Sequence, residues 1–179
     1  MKVKPQNSPK PVKKRGRFKR SGRFRSGLEM TVAQQFIDHG AFWDYEVRKY
    51  EYFVKSRNPL FCENCGYIKG LILKEYLPDF FLSNGVCIEV KGRLVPADKA
   101  KLIAVKKYHP DLDLRILFGY DRIISKDKGT RYSDWATSAG IPWAIKEVPE
   151  DWMLHADVGF PKNWKRTATL FPKGKVDLT

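Results

Sequence analysis

Three residues stand close enough in the sequence to do chemistry together: Asp79, Glu89 and Lys91, within "PDFFLSNGVCIEVKG" from Pro78 to Gly92. They follow the pattern P-D-x9-E-x-K and interrupt two short runs that otherwise read as apolar strands. Two carboxylates placed side by side repel each other and cost stability if left alone. A hard divalent cation removes the conflict, and Mg²⁺ prefers one or two carboxylates plus waters and phosphate oxygens. Such a cation generates a hydroxide nucleophile and stabilises charge developing at phosphorus. A lysine beside it holds the attacking water or offsets that charge. Carboxylates, cation and lysine on one strand pair make a site for phosphodiester hydrolysis. The plainer reading is a hairpin at a sheet edge whose inward charges block aggregation.

The elements that must position these groups are two strands and their turn. A two-residue Asn84-Gly85 turn would pair Ser83 with Val86, set Phe80 opposite Glu89 and send Asp79 to the other face. A three-residue loop, Ser83-Asn84-Gly85, pairs Leu82 with Val86 and so Asp79 with Glu89, with Gly85 in the left-handed position. In that register the carboxylates share a face with Cβ atoms about 5 Å apart. Lys91, two residues beyond Glu89, lies on the same face.

The rest of the chain supplies a scaffold and a strong positive charge. Its 179 residues fit one domain with tails, and the net charge is +14. Residues 1–25 hold eleven Lys or Arg and no acid, which leaves only +3 for everything after them. Residues 1–23 have no apolar period and are expected to be disordered when free. Such an arm seeks a polyanion, nucleic acid before an anionic membrane. No apolar run is long enough to span a bilayer, and the basic N-terminus has no apolar stretch behind it. Three cysteines without an export signal argue against a disulfide framework and for an intracellular, cytoplasmic protein.

Ser26 and Glu29 form an S-x-x-E capping box for a helix with Leu28, Val32, Ala33, Phe36 and Ile37 as its apolar stripe and Gly40 at its end. A long strand is expected over about Phe42 to Val54. After Pro96, a helix places Leu102, Ile103 and Val105 inward and its lysines outward. A buried strand at "DLRILFGY", a short helix capped by Ser133, a strand at "IPWAIKEV" and a helical turn at "PEDWMLHA" follow. The order predicts an α/β fold, a mixed sheet flanked by helices.

At this level of detail the sequence resembles the phage T7-type endonuclease I family of Holliday-junction resolvases. The likeness rests on "FRSGLE" at Phe24–Glu29, "PDFFLSNGVCIEVKG" and "HPDLDLRILF" at His109–Phe118, and continues more weakly through "GIPWAIKEVPEDW". It covers most of residues 23–152. The resemblance implies a PD-(D/E)xK, restriction-endonuclease-like core and a homodimer whose subunits exchange elements through a bridge strand at about 45–54. It implies that Asp79 and Glu89 are metal ligands for Mg²⁺ or Mn²⁺ and that Lys91 is the catalytic lysine. Glu29 completes the site, in the family from the partner subunit; its plainer role is the reciprocal arm of the capping box. The activity implied is paired nicking of four-way junctions and branched DNA, in the host cytoplasm if the source is a phage. Lys13, Lys14, Arg15, Arg17, Lys19, Arg20, Arg23 and Arg25 are, as a group, candidates for contacting the DNA backbone.

The domain reading is a basic arm at 1–23, a nuclease domain at 24–158 and a basic tail at 159–179. A segment at about 55–75 looks longer than the family's and carries Cys62 and Cys65 in "CENCG". A structural zinc wants four ligands, which two such knuckles meeting across a dimer would supply. The plainer reading is a tight loop with two ordinary thiols. Cys87 reads as a small packed side chain on the Glu89 face, and His39, His109 and His155 as surface or helix-end residues. Two other classes remain in view: a nicking, homing-type or transposase-associated nuclease with the same hairpin, and a basic nucleic-acid-binding protein without enzymatic activity.

Overall fold

A computed structural model of the chain describes residues 24–61, 64, 68–125, 129–162, 164 and 168–170. Cys62, Cys65 and the basic residues from Lys13 to Arg23 lie outside the described residues, as does 171–179.

The first element among the described residues is helix α1, Gly27–Asp38, where the Ser26 hydroxyl accepts the Glu29 N–H at 3.2 Å. Gly40 follows it at φ +72°, a left-handed position that ends the helix without a Cβ penalty. Val32, Ala33 and Phe36 are fully buried. Each large apolar side chain buried in this way contributes about 1.5–3 kcal/mol.

The strand expected over about Phe42 to Val54 is broken in two. Strand β1 covers Trp43–Tyr45 and β2 covers Arg48–Phe61. Between them Glu46 sits at φ 51° and donates its N–H to the Asp79 carbonyl at 3.0 Å. That turn moves the chain from one sheet to another, which residue periodicity does not report. Strand β3, Ile68–Tyr76, returns antiparallel to β2, with Tyr50 opposite Tyr76.

Next come β4, Phe80–Leu82, and β5, Cys87–Lys91. Helix α2 spans Pro96–Tyr108, β6 Leu114–Phe118, α3 Tyr132–Ser138, β7 Trp143–Ile145 and α4 Glu150–Met153. A five-stranded mixed sheet runs β1-β4-β5-β6-β7, antiparallel up to β5 and parallel from β5 to β7. On one side Val32, Phe36, Phe80, Ile88, Val90 and Leu117 form a core under α1 and α4. On the other, Tyr76, Phe81, Cys87, Leu102, Ile116 and Phe118 form a core under α2 and α3. Strand β5 alternates between them, so Glu89 and Lys91 fall on the α2 side with Cys87.

Three expectations need correction. Ile103 is half exposed while Leu102 and Val105 are fully buried, because the inward stripe of α2 is set by Leu102 and Val105. Ser133 does not cap α3: the N-cap is Arg131, whose N–H is taken by Asp134, and the Ser133 hydroxyl donates instead to Asp121 at 2.8 Å. The packed chain also continues past residue 158. A strand β8, Ala168–Leu170, pairs parallel with β2 and completes a second sheet in the order β3-β2-β8. Trp164 holds this segment down, donating to Asp44 at 2.7 Å and stacking under the Arg48 guanidinium at 3.8 Å.

Candidate active site

The hairpin that carries the acids has the three-residue loop. Phe80 pairs with Ile88 and Phe81 with Cys87, and Leu82 and Val86 close the ladder. Gly85 sits at φ +95°, and its N–H donates to the Leu82 carbonyl at 2.9 Å. This backbone region strains any residue with a Cβ. The same register, carried one step past Phe80, sets Asp79 against Glu89. Asn84 braces the loop through two donations, to the Trp152 and Leu154 carbonyls at 3.0 and 2.8 Å.

Asp79 lies at the entrance to β4, and one carboxylate oxygen accepts the Val90 N–H at 2.7 Å. Burial, then the charge of Glu89 and, further down, that of Glu29, push its pKa up to about 7, although the Val90 N–H and Lys91 pull the other way. Glu89 is buried and fully paired. Tyr76 donates to its Oε2 at 2.7 Å, and its Oε1 meets Lys91 Nζ at 2.7 Å and Lys101 Nζ at 3.2 Å. The Lys91 pKa is raised: burial works against its charge, but Glu89, Asp98 and Asp79 outweigh it. Asp98 sits 3.4 Å from Lys91 and 4.0 Å from Lys101. Burial, then Glu89, holds the Tyr76 hydroxyl well above its ordinary pKa, so it stays a proton donor to the carboxylate.

Glu29 is buried on the first turn of α1. Its carboxylate accepts the Arg25 N–H at 2.9 Å, the Ser26 hydroxyl at 2.8 Å and the Tyr45 hydroxyl at 2.7 Å. As an arm of the capping box it is displaced: it takes the Arg25 N–H, not that of Ser26. Within this one chain Glu29 also acts on the charge of Asp79. Arg25, the described member of the basic group, is largely exposed and pairs with Glu46 at 2.7 Å.

The structure thus brings Asp79, Glu89, Lys91 and Glu29 to one neighbourhood. The sequence reading missed Lys101, Asp98 and Tyr76. The lysines of α2 were expected to face out, but Lys101 turns inward to Glu89. A signal was present: Asp98, Lys101, Leu102 and Val105 share one stripe at helical spacing, so Lys101 belongs to the sheet-facing side. Tyr76 reaches Glu89 from a different sheet, and no local pattern reports that. The three histidines fall outside the site; His109 caps α2 and contacts the Glu51 carbonyl at 2.6 Å. Cys87 is buried beside the Tyr50 hydroxyl, and burial pushes its thiol up to about 12.

These carboxylates suit a hard cation. Among the described residues no three His, Cys, Asp or Glu side chains converge on a metal-binding point. A cation here would rest on the Asp79–Glu89 pair, with water and phosphate oxygens completing its shell, as Mg²⁺ prefers. Asp79 is raised first by burial and then by the charge of Glu89, and a bound cation would offset the second of these.

Comparison with known proteins identifies the family. A family profile described as phage endonuclease I matches residues 12–169. The chain belongs to the phage endonuclease I family. It is 32% identical over 137 residues to Endonuclease I of Escherichia phage T7, covering 76% of this chain and 82% of that one. It is 34% identical over 127 residues to Endodeoxyribonuclease 1 of Enterobacteria phage T3, covering 70% and 74%. The family match spans the hairpin, α1 with Glu29 and α2 with Lys101, and ends within β8. No helix among the described residues is long and apolar enough to cross a membrane.

Proposed function

We propose that this phage endonuclease I family member is an endodeoxyribonuclease that resolves four-way junctions and other branched DNA by cation-dependent phosphodiester hydrolysis. The observation that carries the reading is the hairpin register that sets Asp79 against Glu89 with Lys91 on the same face, inside a chain of this family. Asp79 and Glu89 hold the cation, Mg²⁺ or Mn²⁺, which when bound supplies a nucleophilic hydroxide and charge stabilisation at phosphorus. Tyr76 and the Val90 N–H each hold one carboxylate oxygen, fixing the pair's orientation. Lys91, released from Glu89 Oε1, orients the attacking water and offsets charge on the phosphate. Glu29 adds a further negative charge beside Asp79 and strengthens the demand for a cation.

A restriction-endonuclease-like core and a homodimer complete the proposal, since two sites in one particle suit paired nicks across one branched substrate. The basic arm at 1–23 follows the phosphate backbone, and recognition rests on the shape and flexibility of the DNA, not on base sequence.

The test compares four-way junctions with linear duplex of the same sequence in Mg²⁺. Selective cutting of the junction is expected, and equal cutting of both substrates would sink junction selectivity. Glu89→Gln and Lys91→Ala should each lower the cleavage rate by at least about a thousandfold while leaving junction binding within a few fold. A wild type that binds junctions but never cuts in Mg²⁺ or Mn²⁺ would return the protein to the class of non-enzymatic binders.

A further inference from the structure

Lys101 is the group in the site that the hairpin motif does not account for. It comes from the second turn of α2, not from the hairpin, and its side chain is only about a quarter exposed at 28%. A helix-face lysine ordinarily extends into water. This one lies over the Tyr76 ring, 5.1 Å from its centroid, and shares Glu89 Oε1 with Lys91. Two ammonium groups on one carboxylate oxygen is an arrangement with a built-in surplus. Lys91 alone satisfies that oxygen at 2.7 Å, and Tyr76 satisfies the other. The neighbouring acid, Asp98, is shared as well, and its other oxygen accepts the Val95 N–H at 3.2 Å at the start of α2.

We propose that Lys101 is a second lysine of the active site: it occupies Glu89 Oε1 until a divalent cation takes that oxygen, and then binds a non-bridging oxygen of the DNA phosphate. The inference rests on the cation site proposed above. The charge balance supports it. When ionised, Glu29, Asp79, Glu89 and Asp98 set four negative charges against the two lysines, leaving two, which one divalent cation neutralises. The phosphodiester then brings a further negative charge, and a lysine displaced from Glu89 is the cation at hand to meet it. Lys101 keeps its footing during the exchange, because the Tyr76 ring and Asp98 still hold its ammonium. Lys101 is thus a competitor of the cation in the free protein and a ligand of the substrate in the complex.

That dual role predicts opposite effects from one substitution. Lys101→Met keeps the apolar stem and removes the charge. Mn²⁺ titrated into the DNA-free full chain, followed by the rise in melting temperature, should show about two- to fivefold tighter binding than wild type. Binding of a four-way junction in Ca²⁺ should weaken by a similar factor. Lys101→Gln should shift both in the same directions, which guards against a fold defect peculiar to Met. Lys107→Met, on the exposed last turn of α2, should change neither. If Lys101 only tethers α2 to β5, Mn²⁺ affinity will stay level or fall in both variants, and that result overturns the inference. Unchanged junction affinity overturns it equally. If the wild type shows no Mn²⁺ binding that Asp79→Asn or Glu89→Gln removes, the cation site itself fails, and the fault lies with the proposed function.

Discussion

Asp79 pays for its position with charge it cannot easily carry. One of its oxygens is held by the Val90 N–H, and the neighbouring carboxylates push its pKa up to about 7 after burial has raised it. A group whose native pKa stands above its unfolded value adds stability at low pH and loses that contribution as pH rises through the native value. In chelator the cost of that raised pKa is therefore fullest at pH 8 and smaller at pH 5. Asp79→Asn keeps an acceptor for the Val90 N–H and removes the charge. It should raise the metal-free melting temperature at pH 8 by about 2–4 °C, with the gain shrinking toward pH 5. The same variant should lose cleavage and lose the melting shift that Mn²⁺ gives the wild type. Differential scanning fluorimetry with and without Mn²⁺ reads all of this, and a variant less stable than wild type at pH 8 in chelator would contradict the electrostatic account. Function and stability oppose each other here because the site is built for a charge that arrives later.

The hairpin is the element that makes these residues a site, and its turn is the sensitive part. Deleting Asn84 would leave a two-residue connection between the strands. Either the ladder slips by one residue, or Asp79 turns to the opposite face, away from Glu89. Cleavage should fall to background while far-UV circular dichroism keeps the mixed α/β signature and the melting temperature drops by several degrees. Gly85→Ala is a milder probe: the left-handed φ of +95° costs a Cβ-bearing residue about 1–2 kcal/mol, with activity largely retained. Much of this element was legible in the sequence, since turn chemistry and period-two alternation are local rules. So were α1, with its capping serine and buried Val32, Ala33 and Phe36, and α2 after Pro96. What local rules missed has a common cause. The break at Glu46 depends on a hydrogen bond to Asp79, the contact from Tyr76 comes from another sheet, and Lys101 turns inward because Glu89 is there to receive it. Each is completed by a partner on another element, which propensity cannot see; only the place of Lys101 on the Leu102–Val105 stripe could be read locally.

At the scale of the whole molecule the dominant fact is uneven charge. Eleven of the 34 Lys and Arg precede residue 26, with no acid among those residues. Removing residues 1–23 should weaken junction binding and flatten the dependence of log K on log salt by roughly 0.9 for each phosphate the arm had neutralised, while the rate of cleavage at saturating DNA changes little. Fluorescence anisotropy across a salt series measures the slope, and an unchanged slope would mean that the arm does not touch DNA. The second sheet has a different consequence, one of timing. Trp164 reaches back 120 residues to Asp44, and β8 takes its place along β2 across an equal span, beside Arg48. A ribosome releases α1, the hairpin and α2 long before it releases β8. Until then the edge of β2 at Arg48–Tyr50 offers bare N–H and carbonyl groups to any passing strand. The catalytic hairpin can thus be assembled on a chain whose neighbouring sheet is still open, and the interval before residues 168–170 emerge is when this protein is most exposed to mispairing during its own synthesis.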